Sequence, residues 1–446
     1  MEPDMSGSQK RAHIIKLPVE LLTMIGRELK DEPRSLAWFG QACRAFHPVA
    51  MPLVYQNIDT RRHSWKRSCR HLLSLVAFPA CAQHVESISF ADSCVARDIS
   101  DCDPAMQKAI GQAIKQLFGI QLKKFDLEEN GDTLIVMAAA ALAPKLSKLE
   151  LAPVGPWSNT NFMLSNSPKS NGPRRKCIFK NLTKISVGRS IQNVDNLDGL
   201  LHSAPNLQTL SIHKARGGSS LTARLPSLTS LCLSDSNMNP GDLRQMLQAC
   251  NNLVCFEYSD VTYPNQPPSP AQVIDLLAPC QNTLQKLHLS SCFADRPDRL
   301  EPRQLPAPWL TKLDRFPALR QVAVDYKALE RGGKEEDDGG ALAKLVWDCP
   351  ALEGLFVMGV DSFETEEFAC FTRSVVEQHR WPRLEMLKLQ TTPSASGERK
   401  KHDRVLKELW AELELCEPDS DAGKLRAAGV DLRAVSGHRC TYPFAE

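Results

Sequence analysis

The stretches "PNLQTLSI" (residues 205–212) and "PSLTSLCL" (residues 226–233) share the spacing Leu-x-x-apolar-x-apolar, and this spacing decides the fold. Nine clear copies occur, at intervals of 21 to 36 residues. Every copy has Pro or Asn one or two residues before its first leucine, which a chance recurrence in a leucine-rich chain does not explain. The first leucines are Leu146, Leu182, Leu207, Leu228, Leu253, Leu284, Leu319, Leu352 and Leu384. Two degenerate copies, "HVESISF" and "QLKKFDL", precede them.

Stretches with apolar residues at helical spacing lie between the copies, for example "GDLRQMLQAC" and "AQVIDLLAPC". A strand followed by a helix, repeated along a chain, predicts an α/β solenoid. We expect a horseshoe with short parallel strands on its concave face and helices on its convex face. The repeats span residues 85–410, with polar, proline-rich loop insertions, and residues 411–446 form a C-terminal cap or tail.

The composition predicts a packed core, and because no apolar run resembles a signal peptide or reaches the length of a membrane helix, we expect an intracellular protein. Of 446 residues, 42% are hydrophobic and 24% are charged, and the formal net charge is +2. We expect a cytoplasmic or nuclear location or both, no membrane partner, and no general attraction to nucleic acid. The basic stretch "RRHSWKRSCRH" (residues 61–71) leaves nuclear import open as an alternative to a solvated helix face.

The fifteen cysteines suggest reduced thiols rather than a disulfide framework. Cys250, Cys280 and Cys349 recur three or four residues before the first leucine of a copy, so we expect structural roles for them. The cysteines and histidines of residues 63–84 match no structural zinc spacing, and no other metal site is expected. With no nucleophile elbow, phosphate loop or dinucleotide fingerprint, the sequence predicts a protein that is not an enzyme and has no cofactor.

The N-terminal part of the chain has a different pattern. Residues 1–13 are expected to be disordered, residues 14–58 to form short helices, and residues 59–84 to form a linking helical region. Leu21, Leu22, Ile25 and Leu29 make one helical stripe, and a second helix is expected to start near Ser35. About 40 residues bury too little apolar area to be stable alone, so this unit is expected to pack against something else.

This stretch, "LPVELLTMIGREL…SLAWFGQACRAFHPVAMPLVYQNI", resembles an F-box. The following stretch, "RSCRHLLSLVAFPACAQHVESISF", resembles the helix that leads into the first leucine-rich repeat in fungal members of that family, so the chain resembles fungal-type F-box proteins with C-terminal leucine-rich repeats. The chain has Phe46 where many members of the family have Trp after the Cys-Arg pair. The residues that carry the resemblance are Leu17, Pro18, Glu20, Leu21, Leu22, Ile25, Cys43, Arg44, Pro52, Leu53 and Tyr55.

The resemblance implies a substrate-recognition subunit of an SCF-type ubiquitin ligase. In that family the F-box binds a Skp-type adaptor, and through it a cullin ligase, while the repeats hold a protein substrate. An alternative is a leucine-rich-repeat interaction scaffold that does not act in ubiquitin ligation. For Leu21, Ile25 and Leu36, a place in the internal core is an equally good interpretation. By analogy, the adaptor contacts are Leu17, Pro18, Leu21, Leu22, Ile25 and Leu36.

Substrate contacts are expected on the strands, at the positions that alternate with the repeat leucines. Successive side chains of a strand point to opposite faces, so these positions face away from the leucine core. We expect both His213 and His288 to be exposed there rather than to bind a metal. The candidate substrate-binding residues are Glu150, Ser211, His213, Glu257, His288, Asp325 and Lys388.

Overall fold

A computed structural model gives the fold of the chain. It describes residues 17–30, 32–60, 65–90, 104–118, 136–151, 179–188, 193–260, 268–291, 313–325, 351–358, 365–377, 382–391, 417 and 420–436. The described residues form two compact units. The first contains those up to Leu151 together with residues 179–183, and the second contains those from Lys184 onward.

The described residues contain twelve strands in chain order, and the pairings within each unit are parallel. This confirms the α/β class and the parallel pairing predicted from the repeats. The first unit contains β1 (Asn57–Asp59), β2 (Ser87–Phe90) and β3 (Lys148–Leu151). The second contains β4 (Lys184–Val187), β5 (Thr209–His213), β6 (Ser230–Ser236), β7 (Cys255–Asp260), β8 (Lys286–Ser291), β9 (Gln321–Asp325), β10 (Gly354–Met358), β11 (Met386–Thr391) and β12 (Asp431–Ser436).

The sequence repeat and the strands coincide. In all nine copies the strand begins two residues after the first leucine, and that leucine is buried. The residue that follows it links neighbouring copies through its backbone. The carbonyl oxygen of Thr229 accepts hydrogen bonds from the N–H groups of Val254, at 2.8 Å, and Cys255, at 2.9 Å. The carbonyl of Val254 does the same for Gln285 and Lys286, so these copies provide backbone acceptors for the next.

The helices of the second unit lie between its strands, and several of them begin with side-chain caps. Asn239 and Ser269 each accept a hydrogen bond from a backbone N–H of the helix that they precede, and Ser269 forms a capping box with Gln272. The buried leucines of helix and strand form one core. The helices are Asp198–Ser203, Pro240–Gln248, Pro270–Leu276, Thr365–Val376 and Asp421–Ala427, with 3-10 turns at Val194–Leu197 and Ala278–Cys280.

The first unit begins with three helices of ten residues each: α1 (Val19–Glu28), α2 (Pro33–Ala42) and α3 (His47–Gln56). Two glycines allow α1 and α2 to lie close to α3. A Cβ atom at Gly26 would lie 2.8 Å from a methyl of Leu53, and one at Gly40 would lie 2.8 Å from the Cβ of Ala50. The unit also contains helices Trp65–Ala77, Pro79–Ala82 and Pro104–Phe118, and helical residues 136–142.

Several predicted features lie outside the described residues: the N-terminal residues 1–13, the degenerate copy "QLKKFDL", and Cys349. In the C-terminal segment, helix Asp421–Ala427 leads into β12, which pairs with β11. Among the described helices, none has the length and apolar character needed to cross a membrane.

Candidate binding surfaces

The three N-terminal helices have a small apolar core of their own. Leu22, Phe46 and Val49 are buried in it, and Leu17 and Phe39 pack against them. The rings of Phe39 and Phe46 stack with centroids 4.6 Å apart. Because Phe46 is part of this core, its ring supports the arrangement of the helices rather than the surface that they present.

The six predicted adaptor contacts divide between this core and the surface. Leu22 and Leu36 are 4% and 1% exposed, so their side chains hold the helices together. Leu17 and Ile25 are half-buried. Pro18 is exposed directly before α1, and Leu21 is 42% exposed within it. Of the six, only Pro18 and Leu21 are therefore exposed.

Three exposed apolar side chains in the same helices were not among the predicted contacts. Val19 and Met24 of α1 are 57% and 60% exposed, and Trp38 of α2 is 68% exposed. Met24 lies on the side of α1 opposite Leu22, and Leu21 lies about 100° from Leu22 around the helix. The sequence could have identified Met24 and Trp38 as surface residues, because each is an apolar residue outside the apolar stripe of its helix.

A second surface is formed by strand side chains that alternate with the buried leucines; we call it the open face. Across the second unit, strand pairing places one residue of each strand in a single row of this face. This row brings together four predicted substrate contacts, Ser211, Glu257, His288 and Lys388. In chain order it contains Ser186, Ser211, Cys232, Glu257, His288, Ala323, Phe356, Lys388 and Arg433.

His213 lies two residues beyond Ser211 on β5. Its Nδ1 is 2.9 Å from the Oγ of Ser234, and its Nε2 is 3.4 Å from a carboxylate oxygen of Asp235. Asp235 adopts a left-handed backbone conformation (φ 48°), and its N–H donates to the Oγ of Ser259. The imidazole is therefore held by polar groups of the neighbouring strand, and it is half-buried rather than exposed.

His288 is buried, so the expectation that it is exposed was wrong. It is 6% exposed, and burial lowers its pKa to about 4, which leaves the imidazole neutral at pH 7. Its Nδ1 lies 4.0 Å from the carboxylate of Glu257. Burial also raises the pKa of Glu257. The thiol of Cys255 lies beside that carboxylate, and burial raises its pKa to about 11. Sequence periodicity identified the face of the sheet but not how deeply each position is covered.

The row becomes apolar and then basic toward β12. The side chains on this face of β9 and β10 form a buried apolar cluster of Ala323, Phe356 and Met358. Met386 of β11 packs against the cluster. The ammonium of Lys388 lies 5.6 Å from the centroid of the Phe356 ring, within range of a cation–π contact. Lys388 itself is half-buried. This part of the open face thus combines a second apolar cluster with a cationic edge.

The two remaining candidates lie apart from this row. Glu150 is on β3 in the first unit, where it accepts a hydrogen bond from Ser89 at 2.7 Å and pairs with Lys148 at 2.7 Å. Asp325 lies at the end of β9, where its backbone is in register with Met358. Its side chain is outside the described part of the structure. Within the described ranges, no group of three or more His, Cys, Asp or Glu side chains is arranged to hold a metal ion.

Comparison with known proteins gives no family assignment. No protein-family model and no curated protein matches the chain. Among solved structures, the chain is similar to a protein from Bacteroides fragilis, at 14% identity and a TM-score of 0.31. That likeness covers 67% of this chain and 68% of the other. It is too low in both identity and TM-score to carry an argument about function.

Proposed function

We propose that this protein recruits substrates to an SCF-type ubiquitin ligase. In this proposal, α1 and the residues before it bind a Skp-type adaptor, and the open face of the strands binds a protein substrate. The observation that carries the proposal is the apolar surface at the start of α1, where Pro18, Leu21 and Met24 are exposed in a segment that resembles an F-box. Fungal-type F-box proteins with leucine-rich repeats are the family that the sequence resembles.

The exposed residues of α1 favour a partner of this kind on physical grounds. Met24 lies on the opposite side of the helix from Leu22, and Leu21 lies at the edge of the buried stripe, so both keep apolar surface outside the core of the three helices. Removing such side chains from water stabilises an association by about 25 cal/mol per Å² of apolar surface. Anything that binds the folded form also stabilises it, which suits a unit with so small a core.

The open face favours a protein substrate over a small molecule. It is a row of side chains from β4 to β12 whose character changes from small and polar to acidic, apolar and basic, and its half-buried or exposed members are Ser186, Ser211, Glu257, Lys388 and Arg433. A polypeptide segment can contact several such positions at once. An adaptor of this type needs no catalytic group, because it raises the local concentration of a substrate lysine near a ubiquitin-charged conjugating enzyme.

The test is co-purification of the full chain with a Skp-type adaptor. We expect the parent protein to bind and the variant Leu21→Glu, Met24→Glu to lose binding, because charges replace the apolar contact surface. Since both side chains are exposed, the variant should fold as the parent does, which a melting curve checks.

Phe78→Glu is the matched control. Phe78 is an exposed apolar residue of the same unit, 64% accessible, but it lies outside the three N-terminal helices. We expect this variant to retain the adaptor. If the folded parent fails to bind the adaptor, or if the Leu21→Glu, Met24→Glu variant binds equally well, the proposal is wrong.

A further inference from the structure

Lys388 and Arg433 place two like charges side by side. They are in register on the neighbouring strands β11 and β12. Leu387, Leu389 and Leu432 are buried, so strand alternation places both cations on the open face. Neighbouring strands lie only about 4.8 Å apart. Like charges directly opposite each other on one face repel, and an anion between them lowers that repulsion.

Each cation is positioned by one contact. The ammonium of Lys388 lies over the Phe356 ring, and within the described part of the chain Lys388 has no ion pair. The Nε of Arg433 donates to the carboxylate of Asp431 at 2.7 Å. A guanidinium has five N–H donors, so most of those of Arg433 are not used by this bond. Both side chains are therefore held in place while keeping donor capacity.

We propose that Lys388 and Arg433 form a subsite for an anionic side chain, carboxylate or phosphate, of a protein substrate. This inference rests on the proposed role of the open face in holding a substrate. An anion between the two cations offsets their mutual repulsion and accepts charge-assisted hydrogen bonds from both.

The neighbouring surface indicates what stands next to the anion in the substrate. Met386 lies two residues before Lys388 on the same face and is only partly buried, and it packs against the apolar cluster that contains Phe356. An apolar residue adjacent to the acidic one would contact Met386 while the anion meets the cations. The preferred segment is thus an acidic or phosphorylated residue beside an apolar one.

The probes are four pools of decapeptides whose central residue is fixed as Glu, phosphoserine, Gln or Lys, with apolar residues beside it. Binding of the full chain to each pool is measured by titration. We expect the parent to bind the Glu pool, the phosphoserine pool or both at least tenfold more tightly than the Gln pool. Retention of the phosphoserine pool alone would identify phosphate as the anion, and retention of the Glu pool would show that a carboxylate suffices.

The double variant Lys388→Met, Arg433→Leu should lose this preference, and Lys388→Glu, Arg433→Glu should transfer it to the Lys pool. Arg320→Leu is the matched control. The side chain of Arg320 is 55% exposed, against 53% for Arg433, and it also pairs with a carboxylate, that of Glu353 at 3.2 Å. It lies outside the Lys388 row, so its loss should leave the preference for the anionic pools intact.

Equal binding of all pools by the parent would overturn the inference, as would an equal loss in the Arg320→Leu control. Melting curves of the variants check folding, and removing the like-charge pair should not lower the melting temperature. Adaptor binding is measured on the same preparations. A parent that prefers anionic peptides but does not bind the adaptor would remove the ligase proposal and leave this subsite in place.

Discussion

The thiol of Cys280 donates a hydrogen bond to the carbonyl oxygen of Cys250, 2.9 Å away and one repeat earlier. Cys250 in turn donates its thiol to the carbonyl of Met246 at 3.2 Å, and both cysteines are fully buried. The Cys280 thiol provides a donor for a carbonyl just beyond the end of a repeat helix, whereas the Met246 carbonyl also accepts from the N–H of Ala249 at 3.2 Å. The structural role expected for these two cysteines is therefore the donation of a thiol hydrogen bond to a backbone carbonyl.

We expect Cys280→Ala to lower the free energy of unfolding by about 1–2 kcal/mol, because it leaves a buried carbonyl without its partner. Chemical denaturation measures this loss. Burial also raises the pKa of both thiols, so neither should react with an alkylating reagent at pH 8 until the protein unfolds. Rapid labelling of Cys250 and Cys280 in the folded protein would contradict their assignment to the core.

A charged substitution at Leu149 tests whether this position lies in the repeat core of the first unit. It lies in β3, in register with Ile88 of β2, and is fully buried. We expect Leu149→Asp to destabilise this unit by about 4 kcal/mol or more, because a charge would replace a packed apolar side chain. Lys145→Asp is the control, since Lys145 is exposed just before the same strand. A melting curve for Leu149→Asp that matches the parent would contradict the burial of this position.

Two glycines should respond in opposite directions to the same substitution. Gly40→Ala places a methyl group 2.8 Å from the Cβ of Ala50, so we expect overpacking between α2 and α3 and a loss of about 1–2 kcal/mol. Gly111 lies inside helix Pro104–Phe118, and a Cβ there meets no atom within 4 Å. We expect Gly111→Ala to gain about 0.5–1 kcal/mol through helix propensity. Denaturant titration of both variants measures the difference, and an equal effect would show that the close approach is absent.

The strands could be predicted from sequence because the repeat has a fixed internal geometry. Once Leu228 and Leu253 were recognised as equivalent, the positions of β6 and β7 followed, since each strand starts two residues after its leucine. The close approach at Gly40 could not be predicted in this way. It depends on the distance between α2 and α3, which a local pattern does not contain.

The candidate surfaces were predictable only in part for a related reason. Strand alternation gave the right face for Glu257 and Lys388, but not the burial of His288, which depends on what covers the sheet. Arg433 was missed because β12 carries no copy of the repeat pattern. On α1, the helical period grouped Leu21 with Leu22, although only one of them is buried.

His288 makes stability depend on pH. Its pKa is lowered to about 4 by burial, below the ordinary value of 6.5, so between these pH values the unfolded chain binds more protons than the folded one. Stability is therefore complete above about pH 6.5 and falls as the pH drops toward 4, by on the order of 2–3 kcal/mol for this residue. Glu257 acts in the opposite sense at the acidic end of this range, because its pKa is raised by burial.

The variant His288→Leu isolates the contribution of the histidine, since it removes the titrating group at similar volume. We expect the stability of the variant, measured by denaturation from pH 4 to pH 7.5, to fall less steeply with acid than that of the parent. Parallel curves for the parent and His288→Leu would mean that His288 is protonated as easily in the folded chain as in the unfolded one.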